Sequence, residues 1–88
     1  MKKAVITVIG KDRVGIIARV SGLLLKYNIN ILDISQTIMQ DLFTMIMLVD
    51  LKDASLSDLS DEIKVIEDEM HLSIRVQNED IFNAMHRI

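Results

Sequence analysis

The chain has 88 residues, a net charge of −3, no cysteine and only three aromatic residues, and half of its residues are hydrophobic. A single domain of this size buries roughly 60–65% of its surface; without disulfides or zinc thiolates, self-association is the remaining source of stability. An acidic balance and scattered Tyr27, Phe43 and Phe82 argue against a nucleic-acid face. No apolar run approaches a membrane span. The apolar stretch after Lys2 and Lys3 is also too short for a signal peptide. The expectation is one soluble, cytoplasmic domain over residues 1–88, because a chain without cysteine fits a reducing compartment.

Ala4-Val5-Ile6-Thr7-Val8-Ile9 is rich in β-branched residues and apolar on both faces, which predicts a central strand ending at Gly10. Ile16, Val20, Leu23 or Leu24, and Tyr27 recur at helical spacing, with Asp12 as N-cap and Asn28 as stop. Residues 30–40 alternate. Leu32, Ile34 and Ile38 fall on one face and Asp33, Ser35 and Thr37 on the other, which predicts a strand with one wet face. Gln40-Asp41 predicts a hairpin turn into a third strand from Phe43 to Leu51. Ser55-x-x-Asp58 reads as a capping box, or Ser57 as the cap. Leu59, Ile63, Ile66 and Met70 then mark the clearest helix in the chain. Leu72 to Gln77 alternates as a fourth strand. Asn78 opens a short terminal helix with Ile81, Phe82, Met85 and Ile88 on one side.

The order β-α-β-β-α-β predicts an α+β, ferredoxin-like sandwich: a four-stranded antiparallel sheet, two helices on one face and a C-terminal helical extension over 78–88. Right-handed crossovers place the first strand between the third and fourth.

This architecture serves unrelated activities, so function has to come from a site. The most specific run is Gly10-Lys11-Asp12-Arg13-Val14-Gly15-Ile16, between the first strand and the first helix. A glycine at each end permits a sharp turn and a close approach. The helix start beyond it presents unpaired N–H groups to a small anion such as a carboxylate. Gly10 and Gly15 have phosphate-loop spacing, but Ile16-Ile17 stand where lysine and Ser/Thr are required, so a nucleotidase is rejected. An RNA-recognition sheet lacks its aromatics, and a metal carrier lacks its thiolates. His71 and His86 are not at a ligand spacing. The acids of the second helix read as a solvated face, so no metal or other cofactor is expected. An acylphosphatase-like hydrolase would use Arg13 on phosphate and Asn30 on water, but that family's Gly-x-Val-x-Gly-Val-x-Phe/Tyr-Arg pattern is missing. No nucleophile–base pair is visible, and the chain is read as a non-enzyme.

Val5 to Ile17, containing Gly10-Lys11-Asp12-Arg13-Val14-Gly15-Ile16, resembles the strand, Gly-x-Asp/Asn-x-x-Gly-Ile loop and helix start of the ACT domain family. Tyr27-Asn28-Ile29-Asn30-Ile31 is similar to that family's lead into its second strand. The likeness extends over nearly the whole chain. It is nearest to small stand-alone bacterial and archaeal ACT proteins, related to the ACT domains of glycine cleavage system repressors. The resemblance implies a regulatory domain that binds a small ligand, most simply an amino acid, at a homodimer interface. By position it implies that Gly10, Lys11, Asp12, Arg13, Val14, Gly15 and Ile16 of one subunit face Asn30 and Ile31 of the other. A structural adaptor holding a protein partner through the sheet edge or terminal helix is the competing reading.

Overall fold

A computed structural model describes residues 2–78. Its elements run β1 (Lys3–Gly10), α1 (Arg13–Lys26), β2 (Asn30–Met39), β3 (Leu42–Asp50), α2 (Leu56–Met70) and β4 (Ser73–Asn78). The strands form one antiparallel sheet in the order β2-β3-β1-β4. This is the ferredoxin-like arrangement expected, with β1 central between β3 and β4. The terminal helix expected over 78–88 lies outside the described residues, apart from Asn78, which ends β4.

Ala4, Ile6 and Val8 of β1, Phe43, Met45, Met47 and Val49 of β3, and Ile74 of β4 all enter one core. Alternation sends these residues to the same side of the pleat. Against them pack Ile16, Val20, Leu23 and Leu24 of α1, and Leu59, Ile63 and Ile66 of α2. The helical spacing read from the sequence therefore marks the buried stripes. The opposite side of the sheet carries Val5, Thr7 and Ile9 of β1 with Ile46 and Leu48 of β3, and faces away from both helices.

Local chemistry sets the element ends. The Asp12 Oδ1 accepts from the Gly15 N–H at 3.1 Å, giving α1 its cap. Asn28 takes the left-handed conformation just past α1, with φ 56°. Gln40 turns the hairpin with φ 58°. At α2 the expected capping box does not form: Ser55 occupies the N-cap but its side chain makes no cap hydrogen bond. Its carbonyl instead accepts from the Leu59 N–H at 3.1 Å. Asp58 still lies in the first turn, where a negative charge suits the helix dipole. His71 closes α2 in the left-handed conformation, and the Leu72 N–H donates to the Glu67 carbonyl at 3.3 Å.

The strand with one wet face is a correction. Every residue of β2 is exposed. Among the described strands it pairs only with β3 and lies at the edge, where α1 reaches it through Arg13 and Gln36 without burying it. A β-bulge also breaks its alternation: Ile31 opposes Val49 and Asp33 opposes Leu48, so Leu32 is the extra residue. Ile31, Ile34, Gln36 and Ile38 consequently share the helix side of the sheet, rather than Leu32, Ile34 and Ile38.

Candidate functional site

The loop from Gly10 to Asp12 leaves the central strand and enters α1 at one end of the sheet. Neither Gly10 nor Gly15 has a positive φ, so the sharp turn expected of them is not the reason glycine stands there. Space is. A Cβ on Gly10 would come within 2.7 Å of Ile16 Cδ1 and 3.0 Å of Leu72 Cβ. On Gly15 it would strike the Asp12 carboxylate and approach Met70 Cε to 2.9 Å. The two glycines thus let the loop, the α1 cap and the end of α2 close on one another.

Asp12 is engaged as the cap, and the Ile16 N–H donates to the Asp12 carbonyl at 2.9 Å. Two of the first N–H groups of α1 are thereby satisfied within the chain. Lys11 and Arg13 are exposed. Lys11 Nζ lies 3.7 Å from Asp41 of the hairpin turn, and Arg13 donates to Gln36 Oε1 of β2 at 3.4 Å. Val14 points to solvent, whereas Ile16 is fully buried. On the other side of the loop, Gly10, Lys11 and Asp12 border a shallow cleft of about 570 Å³ completed by Leu42, Met70 and His71.

Asn30 and Ile31 are not with this loop. In register, Asn30 is level with Asp50 and Lys3, while Gly10 is level with Phe43 and Ile38. The eight residues of β1 separate the two levels, about 23 Å at ~3.3 Å per residue. Within one chain the loop and Asn30 therefore stand at opposite ends of the sheet. The Arg13 and Asn30 pair that an acylphosphatase-like site needs is not assembled within a chain.

Two exposed apolar features run along the sheet edge and α1. Along β2, Ile31, Ile34 and Ile38 are 41%, 43% and 58% exposed. Along α1, Val14, Ala18, Ser21 and Leu25 recur one helical face apart, all open to solvent, with Leu25 82% exposed. Gly22 adjoins this stripe, and a Cβ there would meet nothing within 4 Å. Reading only the core-facing spacing passed over Leu25; an apolar residue out of phase with that spacing was the available signal.

Two ion pairs tie α1 to α2. Lys26 donates to Glu62 Oε1 and lies 5.7 Å from the Tyr27 ring centroid. The hydrogen bond and charge of Glu62 hold the Lys26 pKa above its usual value, and the bond from Lys26 holds Glu62 below the ordinary carboxylate range. Arg19 pairs with Glu69 at 2.7 Å. Among the described residues there is no grouping of three or more His, Cys, Asp or Glu side chains able to hold a metal ion, and no helix long and apolar enough to cross a membrane.

The sequence profile of the ACT domain matches residues 2–77. A UPF0237 protein of Clostridium acetobutylicum is 57% identical over 98% of this chain and 99% of its own length. The solved structure of an ACT domain protein from Streptococcus pneumoniae superimposes with a TM-score of 0.79 at 38% identity, covering 97% of this chain and 98% of that one. A putative glycine cleavage system transcriptional repressor shares the fold, with a TM-score of 0.76 at 23% identity over 88% of this chain and 45% of its own. With its loop, strand order and helix layer in place, the chain belongs to the ACT domain family.

Proposed function

We propose that this chain is a non-catalytic regulatory domain of the cytoplasm that works as a homodimer. In this reading a small carboxylate-bearing ligand, most simply an amino acid, binds where Gly10–Ile16 of one protomer meets Asn30 and Ile31 of the other. The single observation behind it is the edge strand: Ile31, Ile34 and Ile38 are exposed on a strand whose outer hydrogen-bonding groups face no neighbour among the described strands. An antiparallel two-fold pairing of β2 with β2 turns one strand end for end against the other. Asn30 of each protomer then comes level with the end of the other protomer where the loop lies. That arrangement unites the half-sites which one chain keeps about 23 Å apart. ACT domains are typically ligand-binding regulatory domains, which supports the same reading.

The remaining N–H groups of the α1 start and the charges of Lys11 and Arg13 would receive the carboxylate. Asp12 stays on its cap and is available to the ligand's amine through Oδ2. Few polar groups converge, so a micromolar or weaker affinity is expected.

One observation favours the structural adaptor instead. Internal packing fully accounts for Gly10 and Gly15 without any ligand. The two readings separate by calorimetry against the twenty amino acids, with light scattering on the same samples. The ligand reading expects a dimer that binds one of them and loses that binding in Arg13→Ala and in Asn30→Ala while the dimer persists. A dimer that binds none, or that binds with indifference to both substitutions, leaves the adaptor reading standing. A chain that remains monomeric at micromolar concentration ends the shared-site reading altogether.

A further inference from the structure

Chain segments far apart in sequence meet around one cleft at the loop end of the sheet. Lys11 and Asp12 join β1 to α1, Leu42 follows the turn between β2 and β3, and His71 and Leu72 join α2 to β4. All of them border the cleft of about 570 Å³. Its wall is largely apolar. Ile9 and Leu42 stand one residue out of step with the core-facing Val8 and Phe43, on the open side of the sheet, and are 39% and 42% exposed. Met70 and Leu72 are half-buried and pack against the core from the α2–β4 connection. The polar groups at the border are few: Lys11, Asp12, His71 and Ser73. Small-molecule sites have this make-up, with volumes of about 300–1,000 Å³, apolar walls and a handful of polar groups.

Asp12 belongs to two places at once. Its Oδ1 caps α1, and the residue also borders the cleft. The oxygens of Asp12 serve the N–H groups of Gly15 and Ile16, which leaves the helix-start N–H groups of Arg13 and Val14 to a carboxylate from outside. A molecule held there has the cleft one residue away.

We propose, given the shared ligand site above, that the cleft receives the ligand's side chain, and that the ligand is an α-amino acid whose side chain is apolar and at least as large as that of leucine or methionine. Such a side chain covers apolar surface that Ile9 and Leu42 otherwise present to water. Alanine or serine would leave most of the cleft to water. A charged side chain would give up hydration against Ile9, Leu42 and Met70, where the nearest cation, Lys11, already faces Asp41 at 3.7 Å.

The test is calorimetry on the full chain with leucine, methionine, alanine, serine and aspartate, all of which carry the same α-carboxylate and α-amine. Each methylene removed from water is worth about a fourfold gain in affinity. In a cleft that stays partly open, leucine or methionine should bind about tenfold or more tightly than alanine or serine. Leu42→Asp places a charge on the exposed part of the wall and should remove that preference, while Arg13→Ala should weaken every amino acid alike. Intermolecular nuclear Overhauser effects supply a second readout, from the side-chain protons of bound leucine to the methyl groups of Ile9 and Leu42. A tightest ligand that is small or charged, a leucine affinity indifferent to Leu42→Asp, or the absence of those Overhauser effects would overturn the proposal. If such a small or charged ligand still loses binding in Arg13→Ala and Asn30→Ala, the shared site stands and the cleft alone is refuted. No binding by any amino acid refutes both.

Discussion

β1 and β2 are both rich in isoleucine, and they end in opposite environments. β1 has pairing partners on both sides and its core-facing residues lie under the helices, with Ile6 2% exposed. β2 has one partner among the described strands, lies at the sheet edge and is exposed at every position. Similar side chains therefore make the centre of one strand a support and leave the other as an uncovered surface. The lesson is that apolar content alone does not locate the core. Lateral position in the sheet does, and in this chain it converts the second strand from packing material into the best candidate for contact with another molecule.

The sharpest way to break the comparison is to cut equivalent side chains. Ile6→Ala in β1 should destabilise the fold by about 2–5 kcal/mol, because it leaves a cavity in a packed core. Ile34→Ala in β2, measured by urea denaturation at concentrations low enough to give monomers, should change stability by no more than about 0.5 kcal/mol. If Ile34→Ala costs as much as Ile6→Ala under those conditions, β2 is part of the core and the contrast fails.

A smaller effect separates the two jobs of the loop at the end of β1. Asp12→Ala removes the α1 cap and should cost about 1 kcal/mol, seen as a lower urea midpoint with an unchanged slope. Asp12→Asn keeps a capping oxygen and should lie close to the parent chain. An Asp12→Ala chain as stable as the parent would mean that the cap is ornamental and that Asp12 is held for an outside partner.

The smallest effect concerns the ion pair at the far end of α1. The Glu62 pKa is lowered on folding, chiefly by the Lys26 hydrogen bond. Its contribution is thus present above the ordinary value of 4.5 and lost as pH falls through the lower folded value. Lys26 is raised, so its contribution is present below 10.5 and lost as pH rises beyond that through the folded value. Glu62→Gln should therefore melt slightly below the parent at pH 7, and the difference should close as the solution is acidified towards pH 3. A gap that persists unchanged at acid pH would assign the effect to packing of the side chain rather than to its charge.

The element order, the Asp12 cap, the left-handed Asn28 and the buried stripes of both helices were legible because each depends on residues within one or two turns of chain. The central place of β1 followed from crossover handedness and double-sided apolarity. The exposure of β2 was not legible, because it depends on where the helices lie across the sheet. Its face pattern was hidden as well: one extra residue at Leu32 reverses the parity of everything before it. The roles of Gly10 and Gly15 were half legible. Sequence reading found the right positions and offered both a turn and a close approach; the close approach is what holds, to Ile16 and Asp12 nearby and to Leu72 and Met70 far along the chain, which no local pattern shows. Likewise, no pattern in the sequence shows that Asn30 and the loop stand at opposite ends of one chain.

The bulge at Leu32 also divides the outer rim of β2 into two stretches that are out of step, like a ruler with one misprinted mark. A straight strand laid along that rim can keep step with residues 33–39 or with Asn30 and Ile31, but not with both. The longer stretch wins on the number of hydrogen bonds, so any neighbour has its register fixed to that stretch and its length of contact limited by it. The first two residues of β2 are then left over, holding backbone groups and an asparagine amide that no adjoining strand consumes.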